Sequence, residues 1–352
     1  MEDQGTQKLQ TAALTFIALI GLGVFLHITR SFVVPFVVAV LLSFLLVPVA
    51  DFFARLKVPG FIINSMVILG MFIVLAAVGF LAFGAMNSIK SELPEYAGKF
   101  RSSIQAIMDS LKGFIQVDIA AEYRDVTFQQ LFNMISPASI FQTINQSVGT
   151  FITFLSKLTL MMIFLIFILS GRKVLVDKIL FVLDAREDIS SSNFRALQSI
   201  SRQIQTYLWL KAVISIVTGL VFGIVAYVMG LDFAIIWGFL GFLLNFIPTI
   251  GPIVASVPPI ILSFLQFESI LWALFTSICL AGVQFLSGSI IEPIVMGDRL
   301  NLNIITILLS LFLWGLIWGI PGMILAVPIT AAVNIMFQNI PRYNGIAVLM
   351  SK

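Results

Sequence analysis

The stretch Leu231–Gln266, LDFAIIWGFLGFLLNFIPTIGPIVASVPPIILSFLQ, restricts what this chain can fold into more than any other. After Asp232 it carries no formal charge, so most of it can sit in lipid. Its middle, Asn245–Pro252, cannot be ordinary helix. Pro248 and Pro252 each remove a backbone donor and crowd the preceding turn, and Gly251 adds freedom. The arms, Phe233–Phe246 and Ile253–Leu265, are about 14 and about 13 residues long, and each reaches about 20 Å, short of a hydrocarbon core about 30 Å thick. A hairpin with a polar tip inside the membrane fits these lengths better than two full spans. Broken backbone at that depth is tolerated only where protein buries it or it lines a wet cavity, and transporters place binding sites there.

The rest of the chain supports a membrane setting. Of 352 residues, 59% are hydrophobic and only 11% charged, whereas soluble domains carry about a quarter charged residues. The formal net charge of +3 is too small to imply a nucleic-acid partner. Cys279, the single cysteine, lies in an apolar run and reads as a buried, inert thiol. Met1–Gln7 carries Glu2 and Asp3 rather than a basic leader region, so the first apolar run is expected to remain as a span.

Leu9–Leu26, Ser31–Ala50 and Phe61–Ala85 read as the first three spans. Asn87–Gln146 mixes both signs of charge and repeats apolar residues at helical spacing, from Tyr96 to Ile115, as an amphipathic helix outside the bilayer does. Val148–Ser170 is a fourth span containing Lys157, which either snorkels to the surface or pairs with a carboxylate such as Glu292. Arg172–Lys211 is rich in basic residues and bears a second amphipathic stripe (Phe194, Leu197, Ile200, Ile204, Leu208). Trp209–Val228 is the fifth span, with Gly219 and Gly223 spaced to admit a neighbouring helix. Ser269–Ile291 is the sixth, closed by Glu292-Pro293. Ile304–Phe337 is a second interrupted run, broken from Trp314 to Gly322, with arms Ile304–Trp318 and Met323–Phe337; Arg342 and Lys352 finish a polar tail.

The expected fold is therefore an all-α polytopic membrane protein with about six full spans. Two Pro/Gly-broken hairpins of opposite orientation and amphipathic helices outside the bilayer complete it. The expected divisions are an N-terminal three-span bundle (1–86), an extracytoplasmic segment (87–147), the fourth span (148–170) and a cytoplasmic basic segment (171–206). A transport core (207–340) and a cytoplasmic tail (341–352) follow. Lys/Arg placement puts the 172–211 loop and the N-terminus in the cytoplasm, with Arg30 the exception. The 231–266 hairpin then opens from outside and the 304–337 hairpin from inside.

An enzyme is not expected. One histidine, His27, excludes a His-x-x-x-His zinc pair, no deep Ser–His pair exists, and Asp51, Asp232 and Asp298 lie at run ends. No cofactor or metal is expected. Polar residues within apolar runs are the suspects for binding or coupling. Glu292 is either a functional carboxylate or an interfacial cap, and Asn245 either satisfies broken backbone or meets a ligand. Gln284, Asn334 and Thr330 are weaker candidates, while Trp314 and Trp318 read as packing or interfacial anchors.

Three motifs, LDFAIIWGFLGFLLNFIPTIGPIVASVPP (231–259), IIEPIVMG (290–297) and WGLIWGIPGMILAVPITA (314–331), fall in order and span much of the chain. Together they resemble the autoinducer-2 exporter family, a group of bacterial membrane permeases tied to quorum sensing. The resemblance implies a multi-pass inner-membrane protein in the lipid bilayer, assembling as a homo-oligomer, a pentamer. It assigns the family pattern to Asn245, Pro248, Gly251, Pro252, Glu292, Pro293, Gly297, Gly319, Gly322 and Pro328. Thr249, Ile294 and Asp298 depart from that pattern. The substrate-binding or coupling candidates are thus Asn245, Pro248, Thr249, Gly251, Glu292, Gln284 and Asn334. Pro252, Pro293, Gly319, Pro321, Gly322 and Pro328 act as hinges. The function implied is secondary or passive export of a small polar signal, held between the hairpins; the alternative is sodium or lithium/proton antiport through Glu292.

Overall fold

Among the described residues the charge-free runs form helices, as their length and composition require. The computed structural model describes residues 2–60, 62–63, 65–73, 156–171, 192–296, 302–338 and 344–351, with scattered positions between 76 and 102 and at 153, 174 and 178. The 103–147 stretch of the amphipathic segment, most of the 172–191 loop, Gly297 and Asp298 lie outside these residues. In chain order the helices are α1 (Glu2–Ile28), α2 (Arg30–Arg55), α3 (Ser156–Gly171), α4 (Ser192–Val228), α5 (Ala234–Leu244), α6 (Ile250–Phe267) and α7 (Ile270–Phe285). A π-helical turn, Leu286–Ile291, leads into α8 (Glu292–Met296), and α9 (Ile304–Trp318), α10 (Ile320–Gln338) and α11 (Asn344–Met350) follow. Among the described residues no strand occurs, and five helical stretches are long and apolar enough to cross a membrane. The regular structure of the described residues is all helical, as in a multi-pass membrane protein.

The chain divides into two compact units. One comprises Met1–Met71, Ser156–Lys211 and Met296–Lys352; the other, Phe72–Leu155 and Ala212–Val295. In the first unit, Phe164 of α3 packs edge-on against Phe32 and Phe36 of α2, with ring centroids 4.9 and 5.3 Å away. α1 and α9 join through an exchange of caps. The last carbonyls of a helix have no partner of their own. Here Trp318 Nε1 donates to the Leu26 carbonyl at 3.1 Å, and His27 Nδ1 lies 2.7 Å from the Ile317 carbonyl.

The first unit also shows that the last residues are not merely a polar tail. α11 buries Ala347 completely and is tied to the start of α9 by Asn303. The Asn303 side chain caps α9 by accepting from Thr306 N at 2.7 Å, and its Nδ2 donates to Leu349 O at 2.7 Å and Ser351 O at 3.2 Å. Its own backbone N–H reaches Met350 O at 2.9 Å. Cap and tether can be separated by mutation. Asn303→Asp keeps the accepting oxygen and loses the donor, whereas Asn303→Ala loses both. Asn303→Ala is expected to destabilise by about 2 kcal/mol and Asn303→Asp by about half that. Melting temperatures of the purified protein check the order; equal losses would dismiss the cap.

In the second unit, α4 and α5 cross at close quarters through glycines. A Cβ on Gly219 would lie 2.6 Å from Phe242 Cβ and 2.7 Å from Gly238 O, and one on Gly223 would lie 3.2 Å from Gly238 Cα. The spacing of Gly219 and Gly223 thus has its partner in Gly238. Below this crossing Phe222, Ala226, Leu231, Trp237 and Leu280 form a buried core.

The structure corrects several helix boundaries. The stripe through Ile204 and Leu208 and the fifth span are one helix, α4, of 37 residues. The helical path of the sixth span does not stop at Glu292-Pro293; it widens into the π-helical turn and runs on to Met296. Pro252 and Pro321 do not interrupt helix: each stands in the first turn, of α6 and α10, where a missing N–H costs nothing. Pro328 lies buried inside α10. The second interruption is accordingly narrower than Trp314–Gly322, since α9 continues to Trp318 and only Gly319, at φ 70 and ψ −144, separates it from α10.

Candidate functional site

α5 ends at Asn245 and α6 begins at Ile250, leaving residues 245–249 as a tight connection. Ile247 N donates to Leu244 O at 2.9 Å and Gly251 N to Ile247 O at 3.1 Å, so the chain reverses on its own backbone. Gly251 makes that reversal possible, because a Cβ there would stand 1.8 Å from the Leu244 carbonyl oxygen. Pro248 is half-buried within the connection, and Thr249 is exposed with φ 63 and ψ −54. Positive φ is a true outlier for a β-branched residue, and such strain gathers at ligand clamps and switches. Phe233 and Glu268, at the outer ends of the α5–α6 pair, also have positive φ, both in the left-handed helical region.

Asn245 is 2% exposed, and its Nδ2 donates to Ser215 Oγ of α4 at 3.0 Å. One turn along the same face of α4, Thr218 shares a short hydroxyl–hydroxyl bond with Ser287 of the π-helical turn. Thr218 Oγ1 also reaches Ile214 O at 2.7 Å. Gln284, one turn before Ser287, is 5% exposed, and neither its Oε1 nor its Nε2 has a hydrogen-bond partner. A buried polar group left unpaired costs about 1–3 kcal/mol. Among the described residues every buried polar side chain of this unit is uncharged. Besides Ser215, Thr218, Asn245, Gln284 and Ser287 they are Ser256, Ser263 and Thr276, the last two hydrogen-bonded to each other at 2.7 Å across α6 and α7.

The π-helical turn sets the direction of this face. The Glu292 N–H bonds to Ser287 O, five residues back. Pro293 comes next, with no N–H and a ring that needs clearance from the preceding turn, and the wider turn supplies it. Glu292 itself is half-buried and Pro293 exposed.

The open ends of the α5–α6 pair are strapped together. Gln266 Nε2 donates to Gly230 O at 2.8 Å and its Oε1 accepts from Asp232 N at 3.0 Å, while Trp237 Nε1 donates to Asp232 O at 2.8 Å. The Tyr96 hydroxyl donates to the Asp232 carboxylate, and its ring packs on Phe233. Burial pushes the Tyr96 phenol above its usual range, and the Asp232 bond adds to the shift. Lys99 is raised by its bond to Glu95 at 2.9 Å.

In the second unit the predicted residues fall in two places. Asn245, Pro248 and Thr249 belong to the α5–α6 connection, with Gly251 and Pro252 in the first turn of α6, and Gln284, Glu292 and Pro293 follow one another along α7, the π-helical turn and α8. Gly319, Pro321, Gly322, Pro328 and Asn334 belong to the other unit. There a Cβ on Gly322 would lie 1.9 Å from Trp314 O. Asn334, fully buried, donates to Ser351 Oγ at 3.5 Å, and Trp314 Nε1 reaches Thr330 Oγ1 at 3.4 Å. Lys157 is exposed near the start of α3. Ser215, Thr218 and Ser287 were not anticipated. Nor was the burial of Lys211, which ends the basic loop and lies within the fifth span, and is only 2% exposed in the apolar part of α4. A buried stripe through Ile204, Tyr207, Lys211, Ser215, Thr218 and Phe222 was legible as helical periodicity.

Residues 14–342 match the family described as AI-2E family transporter. The AI-2 transport protein TqsA of Escherichia coli K12 is 30% identical over 93% of this chain and 91% of its own length. A Borreliella burgdorferi protein provisionally named as a transport protein is 30% identical over 95% of this chain and 88% of its length. The similarly named YhhT of Escherichia coli K12 is 28% identical over 92% and 89%. With the match running through both interrupted helix pairs, the chain belongs to the AI-2E transporter family.

Proposed function

We propose that the protein is a secondary transporter or facilitator that exports a small polar signal of the autoinducer-2 kind across the bacterial inner membrane. The observation that carries this reading is the near full-length likeness to a protein named for AI-2 transport. The geometry supports it. The α5–α6 pair consists of helices of 11 and 18 residues around a strained connection, and the first is too short to cross lipid alone. We take the pair, and α9–α10 likewise, as re-entrant hairpins, with Asn245 meeting cargo by exchanging its bond to Ser215. The functional unit is a homo-oligomer, a pentamer, with both termini in the cytoplasm. Cation exchange finds no support in the relatives described above.

The test uses the full chain in liposomes loaded with autoinducer-2. Efflux well above that of protein-free liposomes, and indifferent to a sodium gradient, is the expected result. Asn245→Leu is expected to slow it by about tenfold. Efflux no faster than from empty membranes would end the proposal.

A further inference from the structure

We propose that Gln284, with Thr218 and Ser287, forms a binding site for an uncharged cargo bearing hydroxyl or carbonyl groups. This rests on the transport reading above and names the class of molecule that the second unit can hold. Leu280, Gln284 and Ser287 follow one another along one buried face. Leu280 belongs to the same buried cluster as Phe222 of α4, and Ser287 bonds to Thr218 one turn earlier on that helix. Gln284 therefore lies between two points at which its helix touches α4. Its amide is sealed from solvent yet joined to nothing. Proteins seldom leave both ends of a buried amide empty, and those that persist mark a place where a ligand, or the water it displaces, completes the bonding.

The chemistry of the partner follows from the amide. Oε1 accepts and Nε2 donates, which suits a group that does both, as a hydroxyl does, or a hydroxyl beside a carbonyl. A cation would find one acceptor beside a repelling N–H, and an anion the reverse. The buried side chains beside Gln284, Thr218 and Ser287 among them, are uncharged, and the buried charge on the same stripe of α4, Lys211, stands about two turns before Thr218. The π-helical turn beginning two residues after Gln284 is a feature that recurs at functional sites and loosens the helix at this level.

Melting of the detergent-solubilised full chain tests this with four probes: autoinducer-2, D-ribose, ribose 5-phosphate and choline. The uncharged probes are expected to raise the melting temperature of the wild type, and the charged ones to leave it unmoved. Gln284→Leu removes the unpaired amide, so it should melt no lower than wild type while binding the uncharged probes about tenfold more weakly or worse. Thr218→Val, a change of one atom type, should weaken binding in the same direction and serves if Gln284→Leu fails to accumulate. Wild-type affinity in both variants, equal binding of the charged probes, or no response to any uncharged probe overturns the site. Binding of D-ribose that depends on Gln284, without binding or flux of autoinducer-2, leaves the site standing and removes the export reading instead.

Discussion

Gly251→Ala is expected to cost about 3 kcal/mol, the upper part of the range for forcing atoms into a filled space. The added methyl would stand 1.8 Å from the Leu244 carbonyl oxygen, 2.8 Å from its carbon and 3.3 Å from Ile247 Cβ. The first two belong to backbone at the end of α5, where Leu244 O is already engaged by Ile247 N. No side-chain rotation relieves the clash, so the start of α6 must lift away from the end of α5. That displacement would pull Asn245 off Ser215, and transport should fall with stability rather than after it. A lower melting temperature together with lost efflux checks the prediction. Gly282→Ala is the matched control: nothing lies within 4 Å of its Cβ position in α7. There alanine should be neutral or stabilising by up to about 1 kcal/mol.

The second large effect is expected at Gly322, in the other unit. A methyl there would meet Trp314 O at 1.9 Å, its carbonyl carbon at 2.7 Å and Trp318 Cβ at 3.0 Å. Gly322→Ala should therefore also cost about 3 kcal/mol. Its signature differs, because the indoles of Trp314 and Trp318 pack on each other with centroids 4.9 Å apart and Trp318 is 6% exposed. Driving the start of α10 away from α9 should loosen that pair and shift tryptophan emission to longer wavelength, which Gly251→Ala leaves alone. By contrast Gly315→Ala faces only the Met323 side chain, Cε at 2.9 Å and Cγ at 3.0 Å, which is flexible and can swing aside. Unchanged emission and stability in Gly322→Ala would show that α9 and α10 do not meet as described.

Both glycines play one part: each stands near the start of the returning helix and lets it rest on a carbonyl of the outgoing one. The sequence exposed this arrangement only in outline. Proline and glycine within an uncharged run announce a reversal, yet Pro252 and Pro321 serve in first turns rather than in the breaks. Which role a proline takes depends on where the next helix starts, a matter decided by the contacts of Gly251 and Gly322. The π-helical turn left no compositional trace, since LSGSII could continue an ordinary helix. Asn245 and Gln284 were legible as amides stranded in apolar runs. Ser215, Thr218 and Ser287 were not, because hydroxyls in apolar helices commonly bond to their own backbone and signal nothing about a neighbour. Lys211 falls where the basic loop and the fifth span overlap in the sequence, and its burial follows the face of the helix rather than the count of charge along the chain.

The reciprocal bonds of His27 and Trp318 carry a consequence for how the chain comes together. Each helix holds the group that completes the other's final turn, although nearly the whole sequence separates them. During synthesis the Leu26 carbonyl and the His27 ring stay without these protein partners until α9 is made. Shortening the amino-terminal helix would accordingly leave an open carbonyl at Ile317, next to Gly319, where α9 turns into α10.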